Sequence, residues 1–492
     1  MARCMRTTGL AVIVAAVAVM AGCAGQGTAA RAPVPAAGGE PGGEVGDVPE
    51  GDGSAAPESS ADPESSAAPV TSKPPGGKGA VEEALAGLSM EEKVGQLFMP
   101  VLYGPASDTV SGENQARYGV GTPAKMIAKY RPGGVILFPW ADNVKNVKQI
   151  VTLTNGLQKA SSELPLLIGA DQENGQVSRL SPLVTDIPGA STIGATGDLS
   201  LARKAAKVTG TELRALGINL DFAPVADVNI NPKNPVIGPR AYGANPQKVA
   251  SMVGAAVSGF HDAGVAATAK HFPGHGDTNV DSHTGLPVIQ HSRSQWNKLD
   301  APPFAAAIAK GVDAIMSAHV VMPKLDPSGD PATLSKPILT GLLREKLGFD
   351  GVVSTDALDM AAVRKKYSDG EIAVRAIQAG VDLLLMPPDY PEAYQAVLTA
   401  VKSGKISDER LDQSVRRLLT LKAARGLLGK PRSPIRPGPS GCCAPPSTAR
   451  SPSSSPHERA ESRTAAAPAA VRAGHPKAAR PVRVLTGRAP DG

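Results

Sequence analysis

The sequence predicts an α/β protein, a (β/α)8 barrel of the TIM type, on three observations. Between residues 81 and 430, eight short apolar, β-prone runs alternate with longer stretches compatible with helix, and the runs start about 30 to 55 residues apart. The runs carry no polar alternation, as expected where helices cover both faces of a parallel sheet. Polar residues cluster directly after several runs, where a barrel gathers its strand ends on one rim. A doubly wound open sheet uses the same alternation and is the structural alternative.

In chain order, residues 1–22 place Arg3 and Arg6 before the apolar run Leu10–Met20, which leads into Met20-Ala-Gly-Cys23. That order reads as an export signal ending in a bacterial lipoprotein cleavage box, and the run is short for a membrane span. Cys23 is then the lipidated N-terminus, with the protein exported and either anchored by lipid to the outer face of the cytoplasmic membrane or secreted. Residues 23–80 are rich in Gly, Ala, Pro, Ser and Glu and nearly free of large apolar side chains, so they read as a disordered linker.

The eight runs follow: Leu97–Leu102, Gly134–Phe138, Leu164–Gly169, Ile218–Ala223, Val265–Ala269, Ala314–Ala318, Gly351–Ser354 and Val381–Met386. Helix-compatible stretches between and after them include Asn143–Gln158, Leu199–Leu216, Pro246–Ala263, Phe304–Lys310, Lys336–Leu347, Asp369–Ala379 and Tyr390–Val401. The body of 81–430 has no cysteine, the others being Cys4 and the pair Cys442-Cys443. An exported domain without disulfides depends on a large core, which about 350 residues can supply.

From residue 431 the chain is Pro, Arg, Ser and Ala without periodicity. It holds ten Lys or Arg against three Asp or Glu, so the net charge of +6 belongs to this tail and not to the body. The tail reads as disordered, either genuine or the product of a frameshift. Nothing in the body interleaves aromatic and basic residues as a nucleic-acid surface does.

Residues 270–286 carry most of the chemistry. Three His, two Asp and a Lys lie among Gly and Pro that disfavour regular structure, directly after the run Val265–Ala269. A metal site of His271, His275, Asp277, Asp281 and His283 fits poorly, because no HxH or HExxH spacing is present and Lys270 repels a cation. There is no Gly-x-Ser-x-Gly elbow for a serine nucleophile and no phosphate-binding Gly-rich loop followed by Lys-Ser/Thr. Acid/base and nucleophilic work by Asp and His remains. Asp281 and His283, two apart, fall on one side of an extended loop, where the carboxylate orients the imidazole as a proton donor. Asp356, after the seventh run, supplies a separate carboxylate, and retaining sugar hydrolysis needs such a pair.

The chain resembles family 3 glycoside hydrolases, and within them the bacterial NagZ-type β-N-acetylglucosaminidases. The resemblance covers residues 85–428. It rests on Asp171-Gln-Glu-Asn-Gly-Gln-Val-Ser-Arg179, Gly217-Ile-Asn-Leu-Asp-Phe-Ala-Pro-Val-Ala-Asp227, Asn234-Pro-Val-Ile-Gly-Pro-Arg-Ala-Tyr-Gly243, the stretch from Lys270 to His283, and Ser354-Thr-Asp-Ala-Leu-Asp-Met360. Asn174 stands where the family usually has Gly, and Thr355 where Ser is also common. The resemblance implies Asp356 as nucleophile and His283 as acid/base with Asp281 as its partner. Asp171, Arg179, Arg240, Lys270 and His271 then bind the terminal sugar, and the Pro-Gly-His-Gly stretch shapes and frees the loop. No metal or cofactor is implied. The expected partner is a GlcNAc-containing glycan, acted on by a monomer. A family 3 β-glucosidase, a glycoside phosphorylase and a non-catalytic sugar-binding lipoprotein are the competing readings.

Overall fold

A computed structural model describes residues 77–161, 164–282 and 285–428. The signal with Cys23, nearly all of the linker, the tail from 431 and, within the loop, His283 lie outside the described residues.

Each predicted run overlaps one strand. In chain order the strands are β1 (Phe98–Met99), β2 (Gly134–Ile136), β3 (Leu167–Ala170), β4 (Gln172–Asn174), β5 (Val177–Ser178), β6 (Leu220–Asp221), β7 (Ala266–Phe272), β8 (Ala314–Ser317), β9 (Val352–Ser354) and β10 (Leu384–Leu385). The order β2-β3-β6-β7-β8-β9 forms a parallel, curled six-stranded sheet, and β1 pairs with β10, also in parallel. Single parallel bridges, Val101 to Ile136 and Ser354 to Leu383, connect that pair to the two edges of the sheet. The strand residues of the parallel sheet are buried, which explains why Val, Ile, Leu and Ala fill these runs without alternation.

Helices cover the sheet. Val147–Ser161 precedes β3, Leu199–Ala215 precedes β6, Pro246–Ala263 precedes β7, Ala301–Ala309 precedes β8, and Asp369–Ala379 precedes β10. Pro337–Lys346 precedes β9 as a π-helix, and Tyr390–Lys402 and Asp408–Ala424 follow β10. The short helices Met90–Gln96 and Arg293–Leu299 join this set, each opened by a capping box, Ser89 with Glu92 and Ser292 with Gln295.

Three features depart from the sequence reading. Helix Gly77–Ala86 begins inside the expected linker, because Val81 and Leu85, four apart, are buried and Glu82 bonds Arg416 of the last helix at 2.7 Å. Strand β7 runs on through Lys270, His271 and Phe272, so these residues belong to the sheet and not to a loop. The polar segment after β3 is the antiparallel hairpin β4–β5. Among the described residues no helix is long and apolar enough to cross a membrane.

Candidate active site

The carboxyl ends of the parallel strands share one rim, and there the chain places one network of buried charges. Asp171 and Glu173 follow β3 two residues apart, so both carboxylates face the same way. Lys270, its side chain 3% exposed, lies across from them with Nζ 2.7 Å from Asp171 Oδ1 and 2.7 Å from Glu173 Oε1. Arg240 grips Glu173 with two parallel bonds, Nε to Oε2 at 2.8 Å and Nη2 to Oε1 at 2.7 Å. Burial alone raises a carboxyl pKa, but Lys270 and Arg240 outweigh it and hold Glu173 far below the usual range. Lys270 is shifted the other way, since Asp171 and Glu173 overcome its burial.

Beneath this group lies Asp221, fully buried, whose Oδ1 accepts from Gln172 N at 2.9 Å while Oδ2 has no partner among the described residues. Burial pushes its pKa well up, which favours the neutral carboxyl. Two cations, Lys270 and Arg240, thus meet two carboxylates, Asp171 and Glu173.

Next to Lys270, a register shift between Lys270 and Phe272 re-aims the chain at His271. His271 Nδ1 is 2.6 Å from Asp227 Oδ2, and Arg240 Nη2 is 3.3 Å from its Nε2. Because the arginine can only donate, Nε2 accepts and Nδ1–H donates to Asp227. Asp227 also accepts the backbone N–H of His275 at 2.7 Å, and these partners overcome its burial and keep it ionised.

Asp356 follows β9 and is half-buried. Its N–H donates to Ser317 O at 3.2 Å, and its Oδ1 accepts from Ala357 N at 2.8 Å. Burial opposes its ionisation, but His271, His319, the Ala357 N–H and Lys270 outweigh that and hold its carboxyl below the ordinary range. His319, wholly buried after β8, donates from Nε2 to Ala357 O at 3.0 Å and so fixes the turn that follows the carboxylate.

The loop after β7 is pinned where free movement was expected. Residues 273–276 are buried. A Cβ on Gly276 would meet Val228 O at 1.6 Å, and Gly274, at φ +127°, lies where a Cβ would strike the Asp300 carboxylate. These glycines permit close approach; they do not loosen the chain. His275 is a brace, with its Nε2 3.1 Å from Ser282 Oγ. His291 is a second brace, with Nε2 2.9 Å from Asp277 Oδ2 and Nδ1 2.6 Å from Asp300 Oδ2.

Of the residues expected to act, Asp171, Arg240, Lys270 and His271 form one network, and Asp356 stands within electrostatic reach of Lys270 and His271. Arg179 is exposed, its guanidinium 5.7 Å from the centre of the Phe138 ring, while its N–H donates to Asp171 O at 3.3 Å. Asp281 lies on the half-exposed part of the loop, its carbonyl accepting from Gly285 N at 2.8 Å, and His283 is outside the described residues. Glu173, Asp227 and His319 were not assigned to the site from sequence. The period-two relation of Glu173 to Asp171 was a usable signal; the pairing of Asp227 with His271 was not, since forty-four residues separate them.

Asn174 adopts φ +70°, the left-handed region that favours glycine, and its Nδ2 bonds Thr209 Oγ1 at 3.0 Å. Among the described residues no group of three or more His, Cys, Asp or Glu is placed to hold a metal ion. A cavity of about 350 Å3 lies at the opposite ends of β8 and β9, against Asp313, Asp350 and the last helix, away from all these groups.

The sequence profile of the glycosyl hydrolase family 3 N terminal domain matches residues 89–421. The chain is 44% identical over 328 residues to beta-hexosaminidase A of Pseudoalteromonas piscicida, covering 61% of this chain and 54% of that protein. It is 36% identical over 302 residues to a beta-hexosaminidase of Nitrosomonas eutropha, covering 59% of this chain and 85% of that one. A family 3 beta-N-acetylglucosaminidase of Paenibacillus sp. is similar in structure, with TM-score 0.66 and 46% identity over 72% of this chain and 65% of that chain. The chain therefore spans just over half the length of the Pseudoalteromonas protein.

Proposed function

Because the chain belongs to glycosyl hydrolase family 3, we propose that it is a retaining exo-β-N-acetylglucosaminidase acting on terminal β-linked GlcNAc. The observation that carries this reading is Asp356, a carboxylate kept ionised on the same rim as the buried Lys270, Glu173, Arg240 and His271 network. An ionised carboxylate facing fixed donors suits attack on an anomeric carbon, with the network holding the sugar hydroxyls. His283 protonates the departing oxygen and then takes the proton of the incoming water, with Asp281 orienting its ring. Lys270 and Arg240 spend most of their donors on Glu173 and Asp171, so sugar recognition falls to Asp171, the remaining N–H groups of both cations, and Arg179 at the rim. The names of the similar proteins, beta-hexosaminidase and beta-N-acetylglucosaminidase, support the choice of sugar.

Several coarser features extend in the same direction. The two single bridges flanking the β1–β10 pair support an eight-stranded closed (β/α)8 barrel. Residues 77–430 are the catalytic body, preceded by a signal over 1–22, a lipid anchor at Cys23 and a linker from there to the first helix, and followed by a separate tail from 431. GlcNAc-terminated peptidoglycan fragments, or else chito-oligosaccharides, are the substrates met outside the cytoplasmic membrane by a monomeric enzyme.

The test is hydrolysis of 4-nitrophenyl β-N-acetylglucosaminide followed by NMR. β-GlcNAc is expected as the first product, and Asp356→Ala is expected to lower kcat at least about 10^3-fold, equivalent to roughly 4 kcal/mol. First formation of α-GlcNAc rejects retention. A sugar 1-phosphate formed in phosphate buffer makes the protein a phosphorylase, and binding of GlcNAc without turnover makes it a sugar-binding protein.

A further inference from the structure

We propose that Trp140 is the platform for the sugar ring on the leaving-group side of the scissile bond, a subsite that deepens, and rests on, the glycosidase reading above. Only two tryptophans occur in the chain. Trp296 is fully buried and donates to Pro273 O at 2.9 Å, as a core indole should. Trp140 is 58% exposed, its ring stacked on Phe138 at 4.8 Å and 22° and lying 5.9 Å from Tyr103.

The turn that carries Trp140 is fixed. Asn143, 1% exposed, accepts from Phe138 N at 3.2 Å and donates to Leu102 O at 2.9 Å, Gly104 O at 3.1 Å and Ala141 O at 3.2 Å. Gly104 N adds a bond to Ala141 O at 2.9 Å. One buried amide therefore ties the segments after β1 and β2 together and holds the indole face toward water. A large aromatic held this way loses no further freedom when a ligand stacks on it.

The position of the platform selects its occupant. Phe138, beneath the indole, is also covered by Arg179, whose backbone binds Asp171 of the sugar network. Tyr103, beside the indole, follows β1, whose partner β10 takes a bond from the nucleophile's turn, Leu358 N to Leu385 O at 2.9 Å. The aromatic patch thus lies between the sugar-binding side and the nucleophile's own turn. Its chemistry is apolar and flat. A β-linked pyranose, with equatorial substituents, presents a flat C–H face that an indole covers well, whereas the buried ionic network suits the hydroxyl-rich edge of the terminal sugar. The ligand is a pyranose in the leaving-group position, from chitin or from peptidoglycan.

The experiment uses the full chain with Trp140→Ala and Trp140→Phe on three substrates. N-acetyl-β-glucosaminyl fluoride has no leaving-group sugar; N,N′-diacetylchitobiose and GlcNAc-β-1,4-anhydroMurNAc each have one. Trp140→Ala is expected to lower kcat/KM for at least one disaccharide about tenfold or more relative to the fluoride, chiefly through KM, and Trp140→Phe to restore most of it. The disaccharide that loses more identifies the source of the sugar. Ratios unchanged within twofold for both disaccharides overturn the proposal. A second readout needs no turnover. In Asp356→Asn protein, tryptophan emission is expected to shift with either disaccharide and not with GlcNAc alone. If the unsubstituted chain turns over no β-GlcNAc compound, the glycosidase reading fails by itself. Emission unmoved by both disaccharides then removes the platform as well.

Discussion

Glu173 and Asp221 are both carboxyls in the buried floor of the site, yet their surroundings shift their pKa values in opposite directions. Glu173 is held ionised by Lys270 and Arg240, so removing its charge leaves two buried cations facing Asp171 alone. Glu173→Gln is expected to cost about 3–5 kcal/mol of stability, the usual result of removing one partner from a buried ion pair. Burial already favours the neutral form of Asp221, and an amide has the same shape, so Asp221→Asn is expected to cost clearly less than Glu173→Gln. Urea unfolding of both variants checks the pair; equal losses contradict the opposite shifts. At this scale much was legible. Asp171, Lys270, His271, Arg240 and Asp356 stand in recognisable motifs. The state of each carboxyl was not, because it depends on which cation stands across a sheet from it.

At the scale of one element, the loop after β7 is shaped by His291. Both ring nitrogens face carboxyl groups, Asp277 and Asp300, and an imidazolium donates to both. The bond to Asp300 heads the causes that raise the His291 pKa, with burial opposing. A pKa raised on folding means the clamp is fully present below the unfolded value and lost as pH rises through the folded one. Amide hydrogen exchange across residues 277–290 is expected to be slower at pH 6 than at pH 9 after correction for the intrinsic rate. His291→Gln should abolish that difference. Equal protection of the unsubstituted loop at both pH values removes the clamp. Neither the clamp nor the burial of Gly274 and Gly276 was readable from composition, since glycine serves mobile turns and tight packing alike. The capping boxes at Ser89 and Ser292 were readable, because all their partners lie within three residues.

Across the whole molecule, the last helix is joined to the helix Met90–Gln96 by Lys422, fully buried, whose Nζ donates to Gln96 Oε1 at 2.6 Å. Burial lowers its pKa to about 7. The unfolded chain then binds more protons than the folded one from about pH 7 up to the ordinary lysine value, so stability climbs with pH through that window and the penalty is complete below it. The shift corresponds to about 4–5 kcal/mol at most. Lys422→Met loses about 1 kcal/mol through the stranded Gln96 oxygen and removes the larger penalty. Its Tm is expected to rise several degrees at pH 6 and little at pH 10. A fall at pH 6, or an equal change at both, refutes this by calorimetry.

By itself the sequence determined the positions of the eight parallel strands, the helices between them and the motifs at the strand ends. Those features are set by side-chain type over a few consecutive residues. Buried strands need apolar runs, caps need particular polar residues, and a strand end shows where its polar side chain begins. Tertiary structure alone decided that Glu173 ties Lys270 to Arg240, that Asp227 fixes the tautomer of His271, that the glycine loop is packed and that Trp140 stands exposed on a rigid turn. Each of these depends on groups distant in sequence meeting in a low-dielectric interior, where a partner's charge or a neighbour's backbone outweighs any local preference.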